Sequence, residues 1–380
     1  MKIVTGGVTK PQGFKSNGIA SGIKRSGKLD LGLITSDVPA VSAAVFTKNS
    51  IKAAPLIVSQ KNLKNSRAQA IVVNSGNANC FTGQFGLLYA EQTTEVIGNL
   101  LGIPKDDVIV ASTGIIGRML PFEKIKNSAK TLVKGLSRQG GSKTAKAILT
   151  TDLRTKECAV QIKLGSKTVT IAGCAKGSGM IAPNMATMLG FITTDAAISP
   201  KMLKLALKTV TDETFNSITI DGCMSTNDMV VVMANGLAKN KMITTEGRDF
   251  KDFCKGLYEV SRDLAKKIVL DGEGATKFIE IHVLGAKTQA QARQIGLAIA
   301  NSNLVKTAVA GSNPNWGRVA AAVGSVGITN ITEKSLRIKF SSFKKKHVLI
   351  TIQLNLGKAQ AIVYTSDLTY EYVKINMEYN

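Results

Sequence analysis

Between Lys176 and Ile192 the chain passes from a run that reads as loop into one that reads as buried strand, and the change falls on a hydroxyl residue. Lys176-Gly177-Ser178-Gly179-Met180-Ile181-Ala182-Pro183-Asn184-Met185-Ala186 is rich in Gly, Pro and Asn, which impose turn geometry. Met188-Leu189-Gly190-Phe191-Ile192 is a short, nearly unbroken apolar run, as a core strand beginning at Thr187 would be. Thr187 is therefore expected at the mouth of a sheet. A threonine hydroxyl is a weak nucleophile unless a general base lies within reach. If the threonine is the first residue of a chain, its own α-amine, titrating near pH ~8, can be that base. That arrangement requires the peptide bond between Ala186 and Thr187 to be broken first, by attack of the Thr187 hydroxyl on the Ala186 carbonyl and hydrolysis of the ester. The plainer reading is a β-branched residue opening a strand.

The rest of the chain alternates between two periods. Strands are expected over 31–35, 43–46, 70–74, 108–111, 159–164, 168–172, 277–284, 336–340 and 348–354. Helices are expected over 87–101, 121–136, 200–215, 248–270 and 289–299, with Pro121 and Pro200 as first helical residues. Periodicity alone gives a class of α/β or α+β, and no internal repeat is visible. Gly22-Ile23-Lys24-Arg25-Ser26-Gly27-Lys28-Leu29 matches the first seven positions of a phosphate-binding loop. However, Leu29 replaces the Ser or Thr that would meet magnesium and no apolar strand precedes it, so a hairpin turn before the strand at Leu31 is the simpler reading.

Composition narrows the chemistry. With 380 residues, 44% hydrophobic and 20% charged, the chain can bury a sizeable core and is expected to form two or three structural units. No apolar run approaches the ~18 residues of a membrane span and the N-terminus lacks a secretory apolar region, so the cytoplasm is the expected location. Cys80, Cys158, Cys174, Cys223 and Cys254 are odd in number and widely spaced, and are expected to be reduced, packed thiols. The chain has two histidines: His282, in an alternating strand on the face of Glu280 and toward solvent, and His347, after a lysine run. Neither is expected to be catalytic. A Ser-His-Asp or Cys-His hydrolase is therefore disfavoured, no metal or cofactor is expected, and a nucleophile carrying its own base is favoured. The net charge of +23 would suit nucleic acid or another polyanion. But Lys201, Lys204 and Lys208 are scattered, Lys344-Lys345-Lys346 is the densest run, and aromatic residues make up 5% of the chain, too few for a stacking platform. Neither nucleic acid nor membrane is expected as a partner.

Eight motifs carry a further reading. Besides Lys176 to Met188 they are Gly6-Gly7-Val8-Thr9, Val73-Asn74-Ser75-Gly76-Asn77-Ala78-Asn79, Ser112-Thr113-Gly114-Ile115-Ile116-Gly117, Thr150-Thr151-Asp152, Asp221-Gly222 with Ser225-Thr226-Asn227-Asp228, Asp271-Gly272-Glu273-Gly274-Ala275-Thr276-Lys277, and Pro314-Asn315-Trp316-Gly317-Arg318. In this order the chain resembles the bifunctional glutamate N-acetyltransferase / ornithine acetyltransferase family of arginine biosynthesis. The resemblance implies an α/β sandwich of stacked mixed sheets flanked by helices, layered like the N-terminal nucleophile hydrolases. It also implies self-cleavage between Ala186 and Thr187 into an α chain (1–186) and a β chain (187–380), which pair as two of each.

Roles follow the same matches. Thr187 is the implied nucleophile. Thr113 and Gly114 follow an apolar strand in a tight turn able to offer a hydroxyl and an N–H, and in the family that pair forms the oxyanion hole. Thr150, Lys176, Thr187, Glu273 and Asn376 match family contacts to the amino-acid substrate; Lys176 suits a carboxylate and Glu273 an ammonium group. Read without the resemblance, Lys176 is a surface lysine and Glu273 a loop acid. The chain departs from the family at Asn313, where an Asp is usual; the family carries a Thr or Ser five residues after Asn376, and the sequence stops at Asn380, so either that contact is missing or the sequence ends just short of it. The implied reaction is ping-pong transfer of acetyl from N2-acetylornithine to glutamate through acetyl-Thr187, with acetyl-coenzyme A as an additional donor. Two alternatives stay open: an aminopeptidase or amidase of related architecture, with water as the final acceptor, and an uncleaved basic polyanion-binding protein.

Overall fold

The computed structural model describes residues 1–182 and 188–378. They form two compact units. The first comprises Met1–Gly177, the stretch that ends at Thr211, and Ser225–Leu264; the second comprises the stretch from Ser178, Asp212–Met224, and the described chain from Ala265 onward.

In the first unit, period-two alternation builds a mixed sheet in the spatial order Lys2–Val4, Lys156–Leu164, Lys167–Lys176, Leu189–Thr194, Met229–Ala234, Leu31–Phe46, Arg67–Asn77 and Val108–Ile115, with Phe14–Ile19 against Leu31–Phe46. One face of its centre carries Leu33, Val72 and Val110. It packs on Ala90 and Ile97 of the Gly83–Leu101 helix and on Ile125 and Leu132 of the Phe122–Lys134 helix. The other face carries Ile34, Ile71, Val73 and Ala111 and packs with Phe14, Ala145, Phe191 and Met229. Burial on both faces is why these strands read as near-continuous apolar runs. The run after the Gly/Pro loop is one of them: all of Leu189–Thr194 is buried, parallel to Met229–Ala234 and antiparallel to Lys167–Lys176.

The second unit is a five-stranded sheet in the order Arg337–Phe340, His347–Gln353, Phe278–Ala286, Ala359–Ser366 and Ile218–Thr219. Ile279, Ile281 and Val283 face a core completed by Ile295, Ile299, Val309 and Val319 from the Gln289–Ala300, Asn303–Ala310 and Trp316–Gly324 helices. Each of those helices opens on a side-chain cap: Thr288, Ser302 and Asn315 accept the N–H of Gln291, Val305 and Arg318. Mixed sheets flanked by helices make this an α/β sandwich, the class expected from the sequence.

Several particulars differ from the sequence reading. Leu31–Phe46 is one strand, not two, because the ladder slips between Thr35 and Ala40 and absorbs Asp37 and Pro39 at an irregularity. Pro200 begins its helix, whereas Pro121 stands one place earlier than expected, at the N-cap of Phe122–Lys134. Helices at Ala54–Asn62, Gly141–Ala147 and Asn303–Ala310 escape the periodicity because they span only 9, 7 and 8 residues, too few turns to establish a stripe. His282 does share a face with Glu280, but it is half-buried and not turned to solvent; both histidines meet that carboxylate, at 2.7 and 3.1 Å. Cys223 is exposed rather than packed. Gly22 to Leu29 lies in the hairpin connection between the antiparallel strands Phe14–Ile19 and Leu31–Phe46, as expected. Among the described residues no helix is long and apolar enough to cross a membrane.

Phe191 is fully buried in the strand that follows the Gly/Pro loop. Phe191→Ala is expected to lower stability by about 3–5 kcal/mol through the cavity it opens. The check is a shift of the denaturant midpoint with an unchanged slope.

Candidate active site

Thr113 and Gly114 end the Val108–Ile115 strand, paired with Ser75 and Gly76 of Arg67–Asn77. Gly114 has φ +132°, and a Cβ there would lie 2.4 Å from the Gly76 carbonyl carbon and 2.6 Å from Asn77 N. No side chain fits between the two strand ends, so the backbone of this turn is in close contact with its neighbour. Asparagines hold it in place. Asn74 Nδ2 donates to the Asn77 carbonyl at 2.9 Å and Asn74 Oδ1 accepts from Ser112 Oγ at 2.6 Å. Asn227 Nδ2 donates to the Ala78 carbonyl at 2.6 Å and to the Ser112 carbonyl at 2.9 Å.

Lys176, at the end of Lys167–Lys176, points into the same region and is buried, which overturns the surface-lysine reading. Its Nζ donates to Thr150 Oγ1 at 2.7 Å and to Thr113 Oγ1 at 3.4 Å, and lies 3.9 Å from Asp152 Oδ2. Thr113, Thr150 and Lys176 are thus brought together. Asp152 is the residue the sequence reading left without a role. One of its oxygens accepts Lys156 Nζ at 2.6 Å and the Gly177 N–H at 2.7 Å; the other accepts the Thr150 N–H at 3.0 Å. Burial pushes this carboxyl up, but the Lys176 and Lys156 ammoniums and the hydrogen bonds outweigh it and hold it at about 2. The available signal was its place in a quoted motif, two residues after a substrate-contact threonine.

Asp228, from Ser225-Thr226-Asn227-Asp228, is buried just ahead of the Met229–Ala234 strand. Burial holds its carboxyl well above the usual range, opposed by hydrogen bonds from the Met188 N–H and from the Ser225 and Thr47 hydroxyls. Its Oδ2 has no hydrogen-bond partner among the described residues. Asp228 therefore sits at the amide that follows Thr187 in the chain. Ala186 and Thr187, the expected cleavage site and nucleophile, lie outside the described residues.

Glu273 and Asn376 belong to the second unit. The Glu273 N–H donates to the Ser178 carbonyl at 2.8 Å, and Glu273 Oε2 accepts from Asn376 Nδ2 at 2.9 Å. The glycine after it, Gly274, has φ +65°, and a Cβ there would meet Tyr372 N at 2.3 Å, so the Tyr370–Glu378 helix rests directly on the loop. Asp221 organises the same unit: its carboxylate accepts the N–H of Met180 at 2.5 Å, of Ile181 at 2.9 Å and of Cys223 at 3.1 Å, and the Tyr372 hydroxyl at 3.3 Å. Burial raises its pKa, against those bonds. Sequence reasoning placed Asp221 in a motif but gave it no task, since nothing in Asp-Gly announces three backbone donors.

Comparison with known proteins agrees in family. The ArgJ family model matches residues 15–380. The arginine biosynthesis bifunctional protein ArgJ of Bacillus anthracis is 45% identical over 398 residues, covering 100% of this chain and 98% of its own. That of Caldanaerobacter subterraneus subsp. tengcongensis is 43% identical over 402 residues, covering 100% of both. A crystal structure of the Bacillus halodurans ArgJ protein is 44% identical over 48% of this chain and 96% of its own, with a TM-score of 0.47. A buried cluster of hydroxyls, ammoniums and a carboxylate at the ends of a doubly covered sheet is the site of an α/β enzyme. The chain belongs to the ArgJ family.

Two outcomes follow from this geometry. Asp152→Asn leaves Lys156 and Lys176 with less compensation and is expected to cost about 3–5 kcal/mol. Asp152 titrates lower in the folded chain, at about 2, than the ~3.9 of an unfolded Asp. Its contribution of roughly 2–3 kcal/mol is therefore complete above about pH 4 and is lost as pH falls through 2. Chemical denaturation from pH 7 to 2 should show this slope in the wild type and a flatter one in the variant. Gly114→Ala should leave a chain that cannot close the turn against Gly76, with activity reduced by ~10²-fold or more, read as kcat.

Proposed function

We propose that this chain transfers the acetyl group of N2-acetylornithine to glutamate, giving ornithine and N-acetylglutamate. Family membership makes it an acyltransferase of arginine biosynthesis, which sets aside the aminopeptidase and polyanion-binding alternatives. The observation that carries the reading is full-length identity of 43–45% to the arginine biosynthesis bifunctional ArgJ proteins. The grouping of Lys176, Thr150 and Thr113 in one buried cluster supports it.

In this reading, self-cleavage between Ala186 and Thr187 yields chains 1–186 and 187–380, assembled as two of each in the cytoplasm. The Thr187 hydroxyl attacks the acetyl carbonyl while its α-amine takes the proton. Thr113 Oγ and the Gly114 N–H receive the negative charge that develops on the carbonyl oxygen. Collapse, with the α-ammonium returning its proton to the leaving nitrogen, expels ornithine and leaves acetyl-Thr187; the free amine of glutamate then attacks that ester, and the proton it loses passes through the α-amine to the Thr187 oxygen as the hydroxyl is regenerated. Lys176, with Thr150 beside it, takes the substrate carboxylate, and Glu273 with Asn376 takes an ammonium group. The acetyl group moves between an amine and a hydroxyl without change of oxidation state, so neither a cofactor nor a metal is required. Acetyl-coenzyme A serves as a second donor.

Intact-mass measurement under denaturing conditions tests the first step. The wild type should give two fragments that meet between Ala186 and Thr187, and Thr187→Ala a single chain. Because the base is an amine that must be unprotonated, kcat should rise with pH toward ~8. A full-length wild-type chain, or transfer that survives in Thr187→Ala, would overturn the mechanism.

A further inference from the structure

The run Gly22 to Leu29, which imitates a phosphate-binding loop, is folded for a different purpose. Asp30, fully buried at its end, accepts the Ser21 N–H at 2.6 Å, the Ser21 hydroxyl at 2.8 Å and the Lys24 N–H at 2.9 Å. Its own carbonyl accepts the Ser75 N–H at 2.8 Å, which fixes the loop to the strand end that carries Gly76. The carboxylate thereby wraps the loop backbone around itself and directs the Lys24 side chain inward. There the Lys24 Nζ donates to the Leu29 carbonyl at 2.9 Å and to the Leu149 carbonyl at 2.6 Å. The Leu149 carbonyl is part of the peptide that joins Leu149 to Thr150. The Lys24 stem lies against Gly76, where a Cβ would stand 3.0 Å from Lys24 Cγ, and Gly76 in turn lies against Gly114.

We infer that Lys24 is a positioning residue of the acetyl-transfer site: its ammonium fixes the Leu149 carbonyl, and so the Thr150 hydroxyl that Lys176 holds, while its stem supports the Gly76 and Gly114 turn. The inference rests on the acetyl-transfer reading above. A 2.6 Å bond from an ammonium to a carbonyl in a partly desolvated site is of the strong, charge-assisted kind. Thr150 follows a short helix, Gly141–Ala147, in a turn with no sheet ladder to hold it, so its placement depends on such tethers. The groups around the Lys24 ammonium are Asp30 and Lys28 of its own loop and, from across the site, Lys176 and Asp152. Burial first, with the two lysines, lowers the Lys24 pKa and the two aspartates oppose them, which leaves it at about 8. The tether is therefore charged at neutral pH and loses its charge as pH rises through about 8.

The test uses the full chain and two variants. Lys24→Met keeps the stem and removes the donors; Lys24→Arg keeps charge and donors but does not titrate in this range. Transfer kinetics from pH 6 to 10 are read beside hydrogen–deuterium exchange of the peptide containing Leu149 to Asp152 and beside the melting temperature. Expected for Lys24→Met is a loss of about tenfold or more in kcat/KM, mainly as a higher KM, with faster exchange at Leu149 to Asp152. Lys24→Arg should restore protection and lose the decline of activity above about pH 8 that the wild type shows. Wild-type kcat/KM and exchange in Lys24→Met would overturn the inference. So would a loss that only follows the folded fraction, with the wild-type alkaline decline kept in Lys24→Arg. If the wild type transfers no acetyl group, the functional reading fails on its own, and unchanged exchange in Lys24→Met would still overturn the positioning role.

Discussion

Three hydrogen-bond donors and a further ammonium gather at the Asp152 carboxylate, in a place that water does not reach. Lys156, the Gly177 N–H and the Thr150 N–H bond to it directly, and Lys176 lies 3.9 Å away. A carboxylate stripped of water is unfavourable by several kcal/mol unless its partners replace the lost hydration. Here they do, and the balance goes further, since the carboxyl is held at about 2 against its burial. The consequence is geometric. Thr150 can move only if Asp152 loses a donor, and Lys176 can turn away only by giving up both the carboxylate and the Thr113 and Thr150 hydroxyls. A fully satisfied polar network of this kind fixes side chains more firmly than apolar packing does, because each alternative arrangement leaves a buried charge exposed to nothing.

The second constraint is the absence of side chains where the Arg67–Asn77 and Val108–Ile115 strands end. With glycine at 76 and 114 the backbones touch, so the Thr113 hydroxyl is placed by main-chain geometry rather than by a flexible arm. The side-chain amides of Asn74 and Asn227 donate to the carbonyls of Asn77, Ala78 and Ser112 at the strand ends. Preorganisation is obtained here from residues with no reactive chemistry of their own; for the oxyanion role proposed for this turn it is what counts, because donors aimed at a developing charge are effective only if they need not move to reach it.

Much of this was legible in advance, and the part that was not has a common cause. Apolar patterning located most of the strands because it reports burial directly, but it missed Met229–Ala234 and Ala359–Ser366, which lie inside the two sheets; the motif matches brought Thr113, Gly114, Thr150 and Lys176 forward as a set. Lys176 read in isolation as a surface lysine, since sequence shows the type of a side chain and not the carboxylate waiting for it 24 residues earlier. Asp152, Asp221 and Asp228 were each in a quoted motif, yet their tasks are to accept backbone N–H groups from distant segments, and such bonds leave no periodic trace. Lys24 was hidden for a further reason: its loop imitates a different motif, and only the direction of the side chain, set by Asp30, shows where it acts.

The excess of positive charge divides on the same principle. Lys201, Lys204 and Lys208, and the run from Lys344 to Lys346, are exposed, so water and salt screen them within about 10 Å. Such charges raise the local concentration of anions without choosing among them. Lys156 and Lys176 are buried, and Lys24 is largely so; each is tied to oxygens of the first unit rather than to water. A charge in a low-dielectric pocket interacts with an ion beside it far more strongly than one on the surface does. It is also directional, because each ammonium is tethered to a named oxygen. The net charge of +23 is then a poor guide to the partner: exposed lysines add to it without choosing a ligand, whereas a buried ammonium such as Lys176 is directed at the Thr113 and Thr150 hydroxyls.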